Sequence, residues 1–360
     1  MWIIRADGNA RIGAGHLMRC LTIAEAADRE VLFLTADEES AALVRGRGFA
    51  AGVLHTDYRQ PETELVPALE TAGGTGTPAD ADGACAWDCF LRTAGHTILV
   101  DSYYVTDHYL QQLQTYGRVF LMDDLQNHAY PVDGVINYNV FADGALYERL
   151  YAGKSVRRIL GASYVPLRAQ FQKTAYVPRE TVRDVLLTTG GGDADNIAGA
   201  ILDAVYDPQI TFHVLVGRFN PHFADWTARA ARQTNIRICY DVQDMVQLMA
   251  QCDLAITAGG STVYELCAVG VPLICFAYAE NQEALAAYLR ETDTAGSAGA
   301  WHREREACLA QIRQCFQTLR EDSGARERYS ARERALVDGR GARRLAQALF
   351  AETEESDGES

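Results

Sequence analysis

The fold is decided by the stretch DLAITAGGSTVYEL, which runs from Asp253 to Leu266. Its first five residues are mostly apolar and bounded by turn residues, which predicts a short buried strand. The small residues 258–260 follow and let a ligand approach the backbone closely. Ser261 or Thr262 then caps a predicted helix. Strand, glycine turn and helix start predict an anion site, because free N–H groups and the helix dipole point at the turn.

Glu265 lies one turn into this helix, within reach of a polar group beside the anion, such as a ribose hydroxyl. We therefore assign Gly259, Gly260, Ser261, Thr262 and Glu265 to nucleotide binding. An ordinary βα turn with a capped helix explains the same pattern, since a single glycine motif specifies function only loosely.

The composition limits the classes of protein to consider. The chain has 360 residues, which favours two domains, and its formal charge of −15 argues against nucleic acid or an anionic membrane as a partner. Nine scattered cysteines without a CxxC pair favour reduced thiols over a zinc site. Because we find neither a signal peptide nor an apolar run of about 18 residues, we expect a cytoplasmic protein. We also expect a monomer.

Strands alternate with helices and glycine turns in two series, which is typical of α/β proteins with doubly wound parallel sheets. We predict an N-terminal Rossmann-like domain over 1–165 and a C-terminal one over 180–335. Residues 71–83 are predicted to form a flexible surface loop, and the acidic tail 352–360 is predicted to be disordered. The predicted strands are 2–6, 31–35, 97–101, 119–122 and 135–139, then 184–189, 211–217, 236–240, 253–257 and 271–276.

The first strand is followed by a loop that contains Gly13 and Gly15. His16 comes directly after this loop, at the start of a predicted helix. A helix N-terminus disfavours the protonated imidazole, so a neutral His16 could act as a general base. We assign the two glycines to substrate binding. The alternative is that His16 merely caps the helix or packs against the loop.

Polar side chains also collect where the strands of the first series end. Carboxyl ends of parallel strands form the ligand-binding edge of open α/β sheets, so these residues predict a polar crevice. Taken singly, each acid is better explained as a cap or turn residue. The crevice residues are Asp101, Tyr103, Asp123, Asp124, Asn137 and Asn139, with Arg168 as a further residue that could face an anion.

A second glycine turn, Gly190 to Gly192, follows the first strand of the second series, and we assign Gly191 and Gly192 to nucleotide binding. Asp193 and Asp195 after it mimic a DxD metal motif. We prefer a helix cap, since backbone N–H groups can carry the phosphate charge, and we expect neither a metal nor a cofactor.

The motifs RADGNARIGAGHLMRC (5–20) and AGGSTVYE (258–265), with Asn281 and Gln282, resemble those of the UDP-2,4-diacetamido-2,4,6-trideoxy-β-L-altropyranose hydrolases. That family acts in the biosynthesis of pseudaminic acid, a nonulosonic acid of flagellin glycosylation. The resemblance covers residues 1 to about 290 and is more distant to the glycosyltransferase that makes lipid II. Residues 61–96 form a longer insertion than the family leads us to expect.

The resemblance implies a GT-B-like fold whose two Rossmann-like domains face a cleft, with UDP held by the C-terminal domain. It implies hydrolysis at the anomeric carbon with inversion, which gives 2,4-diacetamido-2,4,6-trideoxy-L-altropyranose and UDP, with His16 as the base. Asn281 and Gln282 would hold phosphate or sugar hydroxyls, and the crevice the acetamido groups. Two alternatives stay open: a GT-B glycosyltransferase with a UDP-sugar donor, and a non-catalytic binding protein in which His16 is dispensable.

Overall fold

The computed structural model describes residues 1–9, 11–65, 86–88, 90–91, 95–172, 176–190, 192–217 and 220–351. The chain divides into two units, Met1–Pro166 together with the chain from Ala342, and Leu167–Gly341. The loop predicted at 71–83 and the tail predicted at 352–360 lie outside the described residues. Within those residues, no helix is both long and apolar enough to cross a bilayer.

The first unit is built on a parallel sheet of seven strands, ordered β3-β2-β1-β4-β5-β6-β7. Its strands are β1 (Trp2–Ala6), β2 (Val31–Thr35), β3 (Ala50–Val53), β4 (His96–Asp101), β5 (Gly117–Met122), β6 (Gly134–Asn137) and β7 (Arg157–Leu160). Its helices are α1 (Gly15–Glu25), α2 (Glu38–Gly46), α3 (Asp107–Leu113) and α4 (Gly144–Leu150), with α12 (Gly341–Phe350) added from the end of the described chain.

Both faces of this sheet are covered, which explains why its strands read as continuous apolar runs. In β1, Trp2 and Ile4 belong to the hydrophobic cluster on one face, and Ile3 belongs to the cluster on the other. Helix α12 closes the first cluster: Leu345 and Leu349 are buried in it, and the Phe350 ring meets Trp2 edge-on at 5.5 Å.

The second unit carries a parallel sheet of six strands, ordered β10-β9-β8-β11-β12-β13. Its strands are β8 (Asp184–Thr188), β9 (Thr211–Leu215), β10 (Ile236–Cys239), β11 (Leu254–Ala258), β12 (Leu273–Ala277) and β13 (Gly296–Ala300). Its helices are α5 (Ile197–Val205), α6 (Phe223–Arg232), α7 (Met245–Ala250), α8 (Ser261–Val269), α9 (Glu283–Glu291), α10 (Arg305–Glu321) and α11 (Ser323–Leu336).

Both sheets reverse their strand order once, between β1 and β4 and between β8 and β11. In open α/β sheets, ligands bind outside the carboxyl ends of the strands at such a switch point. The His16 loop follows β1 and Asp101 ends β4, while the two glycine turns follow β8 and β11. The topology therefore places the His16 loop and Asp101 at the switch point of the first unit, and the two glycine turns at the switch point of the second.

The predicted strands are all present, with ends that differ by at most two residues. Three strands were not predicted: β3 and β7, which are short, and β13, whose sequence GSAGA has low β-propensity. Helix α2 begins at Glu38, because the Asp37 carboxylate caps it by accepting from the Ser40 N–H at 2.7 Å. The chain after residue 290, which the resemblance left unassigned, forms β13 and α10 to α12.

Candidate active site

The loop between β1 and α1 is fixed by its own hydrogen bonds. The Gly13 N–H donates to the Asn9 carbonyl at 2.9 Å, and the Asn9 Oδ1 accepts from the Arg11 N–H at 3.0 Å. Gly13 has a φ of +76°, a conformation that glycine adopts without strain. Gly15 is the first residue of α1. The two glycines thus shape the turn and the helix start, and their predicted contact with substrate stays a prediction.

His16 pairs with the buried carboxylate at the end of β4. Its Nδ1 lies 2.6 Å from the Asp101 Oδ1. Burial opposes ionisation of Asp101, but Arg19 and the hydrogen bonds from Arg19 and His16 hold the pKa of this carboxyl well below its usual range. Because an ionised carboxylate can only accept, Nδ1 carries the proton of this hydrogen bond. In the neutral ring, Nε2 is then left as the acceptor, which is the state a general base needs.

Arg19, one turn further along α1, holds this pair in place. Its Nε and Nη2 each lie 2.6 Å from one oxygen of Asp101, which makes a two-pronged pair. Its Nη1 lies 2.8 Å from the Asp124 Oδ2 and donates to the Tyr138 hydroxyl at 3.0 Å. Arg19 Nη2 is also 3.2 Å from the His16 Nδ1, a contact that is not a hydrogen bond when both nitrogens carry protons.

Tyr103 completes the cluster from the loop after β4. Its hydroxyl donates to the Asp124 Oδ2 at 3.0 Å, and its ring meets the His16 ring edge-on with centroids 4.6 Å apart. Burial and the nearby carboxylates raise the pKa of Tyr103, so its hydroxyl stays protonated at neutral pH. The predicted crevice residues Asp101, Tyr103 and Asp124 are therefore brought together around His16.

These residues open onto a pocket of about 210 Å³ in the first unit. Its wall combines charged groups with tyrosine rings and one aliphatic side chain. The lining residues are Asp7, Arg11, Ile12, His16, Tyr58, Asp101, Ser102, Tyr103 and Tyr104. A base whose acceptor nitrogen is fixed beside a pocket can take a proton from water or from a hydroxyl group held there.

Two other crevice residues serve the fold instead. Asp123 is buried, and its carboxylate accepts from the Tyr147 hydroxyl at 2.8 Å and from the N–H groups of Leu125 and Gln126. Asn137 is also buried, and its Oδ1 accepts from the backbone N–H and the side chain of Asn139. Asn139 donates in addition to Asp124 at 3.3 Å. The explanation of the acid as a turn residue thus fits Asp123. The next residue, Asp124, belongs instead to the cluster around His16.

In the glycine turn at residues 258–260, the N–H groups that are free to bind a ligand are not the ones that the sequence predicted. The Gly259 N–H donates to the Phe276 carbonyl at 2.9 Å, and the Gly260 N–H donates to the Ala258 carbonyl at 2.8 Å. Gly260 itself holds the position before α8, and no side chain caps the helix, so the predicted cap by Ser261 or Thr262 is wrong. The N–H groups of Ser261 and Thr262 head the helix, where no earlier carbonyl accepts from them.

Glu265 lies one turn into α8, as predicted, and forms an ion pair with Arg168, whose Nη2 lies 3.4 Å from Oε1. Burial raises the pKa of the Glu265 carboxyl, and Arg168 offsets part of that increase. The structure therefore places Arg168 in the second unit, paired with Glu265. The Glu265 side chain is 19% exposed, so a ligand group can reach part of it.

The remaining predicted residues of this unit differ in their exposure and in their contacts. Asn281 is exposed, whereas Gln282 is buried and its Oε1 accepts from the Tyr278 N–H at 3.0 Å. A Cβ at Gly259 would lie 3.1 Å from the Gln282 Cβ, so close packing explains that glycine. Gly192 has open space around it, and Gly191 lies outside the described residues.

Asp193 acts as the preferred helix-cap explanation predicts. Its carboxylate accepts from the N–H groups of Ile197 and Ala198, at 2.6 and 3.1 Å, at the start of α5. Asp195 is exposed beside it. Independence from metal ions stays a prediction, to be tested directly.

Sequence reasoning missed Arg19 as a site residue, although its motif contains it. The spacing from His16 is three residues, which puts both side chains on one face of a helix, and this signal could have identified it. Tyr138 and the pocket residues Arg11, Tyr58 and Tyr104 were also missed. These last residues come from separate loops, whose convergence no spacing in the sequence encodes.

Comparison with known proteins places this geometry in context. Residues 185–331 match the model of the glycosyltransferase family 28 C-terminal domain. The spore coat polysaccharide biosynthesis protein SpsG of Bacillus subtilis (strain 168) is 28% identical over 246 residues, which is 66% of this chain and 70% of SpsG.

Two solved structures resemble the whole chain. MurG of Acinetobacter baumannii aligns with a TM-score of 0.63 and 13% identity, over 97% of this chain and 98% of MurG. The spinosyn rhamnosyltransferase SpnG complexed with thymidine diphosphate aligns with a TM-score of 0.57 and 15% identity, over 97% of this chain and 99% of SpnG.

At such identities the solved structures show the fold alone, and that fold is the predicted GT-B-like pair of Rossmann-like units. Together with the family 28 match and SpsG, it supports an enzyme of the glycosyltransferase type that acts on a nucleotide sugar.

Proposed function

We propose that the chain is a UDP-sugar hydrolase, in which His16 activates a water molecule for attack on the anomeric carbon. One observation carries this proposal: the His16–Asp101 pair, joined at 2.6 Å, lines a pocket of only about 210 Å³. The pair supplies a base of fixed tautomer, and the pocket supplies a place for the nucleophile beside it.

The reaction balances with the groups at hand. The water oxygen forms a bond to C1 while the bond from C1 to the phosphate oxygen breaks, and UDP leaves with the electron pair. The proton of the water passes to the His16 Nε2, and Asp101 stabilises the imidazolium that forms. Because UDP is a good leaving group, the remaining need is to stabilise its growing negative charge. The helix start at Ser261 and Thr262 offers N–H groups for that purpose.

The size and wall of the pocket suit a sugar and a water. Pockets that bury a drug-sized ligand measure about 300–1,000 Å³, and the 210 Å³ beside His16 has room for a sugar ring and a water. The rings of Tyr58 and Tyr104 and the side chain of Ile12, which line the pocket, offer apolar contacts for a deoxy sugar with acetamido groups. The family resemblance names UDP-2,4-diacetamido-2,4,6-trideoxy-β-L-altropyranose as the substrate to test first.

Nucleotide binding by the second unit is part of the proposal. The family 28 match covers the glycine turns and Glu265, and the neighbour SpnG was solved with thymidine diphosphate. In our proposal the diphosphate binds at the start of α8, and the ribose hydroxyls bind Glu265. The choice of UDP rests on the resemblance.

A GT-B glycosyltransferase that uses a UDP-sugar donor is the second candidate, and the family 28 match and the rhamnosyltransferase neighbour SpnG favour it. The same histidine would then deprotonate an acceptor hydroxyl. The two candidates differ in whether an acceptor is needed.

The deciding experiment incubates the purified protein with a panel of UDP-sugars and measures free UDP, first alone and then with candidate acceptors. The hydrolase proposal expects one UDP-sugar to give rapid UDP release without any acceptor, and a His16→Asn variant to lose that release. Release that occurs only when an acceptor is added, with the sugar found on the acceptor, would establish the glycosyltransferase instead.

A further inference from the structure

We propose that Arg19 is a positioning residue that fixes two pocket residues at once: His16 through Asp101, and Tyr103 through Asp124. This inference rests on the proposed function, because it assigns the residue that holds its base. Arg19 is placed behind the reacting groups, and its role is exerted through the two carboxylates.

The geometry of the guanidinium group carries the first half of the proposal. Nε and Nη2 each reach one oxygen of Asp101 at 2.6 Å, so the carboxylate cannot rotate without breaking one of these bonds. The same Oδ1 that binds Nη2 also receives the His16 Nδ1–H at 2.6 Å. The plane of the guanidinium therefore determines the orientation of the carboxylate, and the carboxylate determines the tautomer and orientation of the imidazole.

The third guanidinium nitrogen of Arg19, Nη1, supports the second part of the proposal, the positioning of Tyr103. Nη1 lies 2.8 Å from the Asp124 Oδ2, which also accepts from the Tyr103 hydroxyl at 3.0 Å. The Tyr103 ring in turn meets the His16 ring edge-on at 4.6 Å. Two separate paths, one of hydrogen bonds and one ending in a ring contact, thus run from Arg19 to His16. All three guanidinium nitrogens are used, and the side chain is 13% exposed.

A simpler explanation is that Arg19 only neutralises two carboxylates. Lysine separates the two explanations, because an ammonium group keeps the charge but lacks the planar fork that can bind Asp101 twice and Asp124 once. If neutralisation suffices, Arg19→Lys should behave like the wild type. If positioning is the role, Arg19→Lys should fold and bind UDP normally but lose turnover.

The kinetic test compares the wild type, Arg19→Lys, His16→Asn and the double variant. We expect Arg19→Lys to lower kcat by about 10- to 100-fold, by analogy with the outer partners of metal-bound histidines, and to alter the pH profile of kcat. In the His16→Asn background, Arg19→Lys should cause no further loss, since it acts through His16. A kcat within twofold of the wild type, or an equal loss in both backgrounds, would overturn the proposal.

The second path has a matched control within the chain. Tyr103 binds Asp124, whereas Tyr147 binds the adjacent Asp123, which serves the fold. Tyr103→Phe and Tyr147→Phe each delete one hydroxyl that donates to one of two consecutive aspartates. We expect Tyr103→Phe to lower kcat by a few fold and Tyr147→Phe to leave kcat unchanged. Equal effects of the two variants would remove Asp124 and Tyr103 from the account.

A nitrogen-15 NMR measurement of the histidine rings keeps this inference separate from the proposed function. The wild type should show His16, assigned by the loss of its signals in His16→Asn, with its proton on Nδ1. Arg19→Lys should mix the two tautomers, and Tyr147→Phe should not. If this pattern is found in a protein that hydrolyses no UDP-sugar, the hydrolase proposal fails while the positioning role stands. An unchanged Nδ1–H tautomer in Arg19→Lys would sink the positioning role whatever the activity.

Discussion

The two switch points of the molecule, one in each unit, have the same topology but are built differently. In the first unit, charged side chains fill the end of the sheet: Arg19 and His16 lie within 2.6 Å of Asp101. In the second unit, small residues fill the corresponding position, and the ion pair of Arg168 with Glu265 is long, at 3.4 Å. One site presents fixed side chains, and the other presents backbone groups and open space.

This difference suggests a division of labour, because the two constructions suit different tasks. A proton acceptor must be held in one tautomer, which requires side chains fixed by further side chains. A diphosphate is bound well by helix N–H groups and needs close access to the backbone, which small residues allow. We infer that the first unit carries the chemistry and the second carries nucleotide binding.

The largest effect is expected from His16→Asn. Loss of a general base lowers rates by about 10²- to 10⁴-fold, so turnover should fall within that range. The affinity for UDP should stay within twofold of the wild type, because the nucleotide is assigned to the other unit. Steady-state kinetics and calorimetric titration with UDP measure the two quantities. Near-normal turnover would remove the base assignment, and a large loss of UDP affinity would contradict the division.

Asp101→Asn should destabilise the protein, since it leaves the Arg19 cation with one fewer carboxylate. Breaking a buried ion pair costs about 3–5 kcal/mol, and the Asp124 partner that remains puts this case at the lower end. The pKa of Asp101 is depressed in the folded state, so its contribution is present above the unfolded value of about 3.9 and is lost as the pH falls through the folded value.

Urea unfolding of both proteins at several pH values checks this prediction. The difference in the free energy of unfolding should be largest near pH 7 and should shrink below about pH 4. A difference that does not change with pH would mean that the loss comes from packing rather than from the ionised carboxylate.

Glu265→Ala tests nucleotide binding by the second unit. Hydrogen bonds to a charged acceptor are worth about 1.5–3 kcal/mol each at most, so UDP affinity should fall about 10- to 100-fold, on the order of 1.4 to 2.8 kcal/mol. Part of the loss should disappear with 2′-deoxy-UDP, which lacks one of the hydroxyls.

Calorimetric titration of both proteins with UDP and its 2′- and 3′-deoxy analogues completes the cycle. Equal losses for all three ligands would show that Glu265 only supports the helix.

The smallest effect is expected from chelation. The Asp193 carboxylate is engaged by the N–H groups of Ile197 and Ala198, and helix starts can supply the positive potential for a diphosphate. Activity should therefore be unchanged after treatment with EDTA. A loss that Mg²⁺ or Mn²⁺ restores would revive Asp193 and Asp195 as metal ligands.

The sequence predicted the fold well because strand and helix periodicity and glycine turns are local signals. Two α/β units with doubly wound parallel sheets and ten of their strands follow from them, whereas the GT-B-like class was implied by the family resemblance. The edge strand β13 was missed, because GSAGA lacks the β-branched and aromatic residues that mark a strand. That strand is stabilised by its pairing with β12, which is a non-local contact.

The candidate site could be predicted only in part, for a related reason. His16 and Asp101 lie 85 residues apart, and the parallel pairing of β1 with β4 is what brings them together. The sequence offered no way to tell which of the two consecutive acids belongs to the site. In the structure, Asp123 binds Tyr147 and Asp124 binds Arg19. The N–H groups of Gly259 and Gly260 were assigned to the ligand, whereas β12 and the turn use them.

The most direct test of the central claim is a single turnover of the active UDP-sugar in water enriched in oxygen-18, with mass spectrometry of both products. If His16 directs water to the anomeric carbon, the label will appear in the C1 hydroxyl of the freed sugar, and the UDP will carry none. Label in the UDP and none in the sugar would mean that water attacks phosphorus, and would contradict the account.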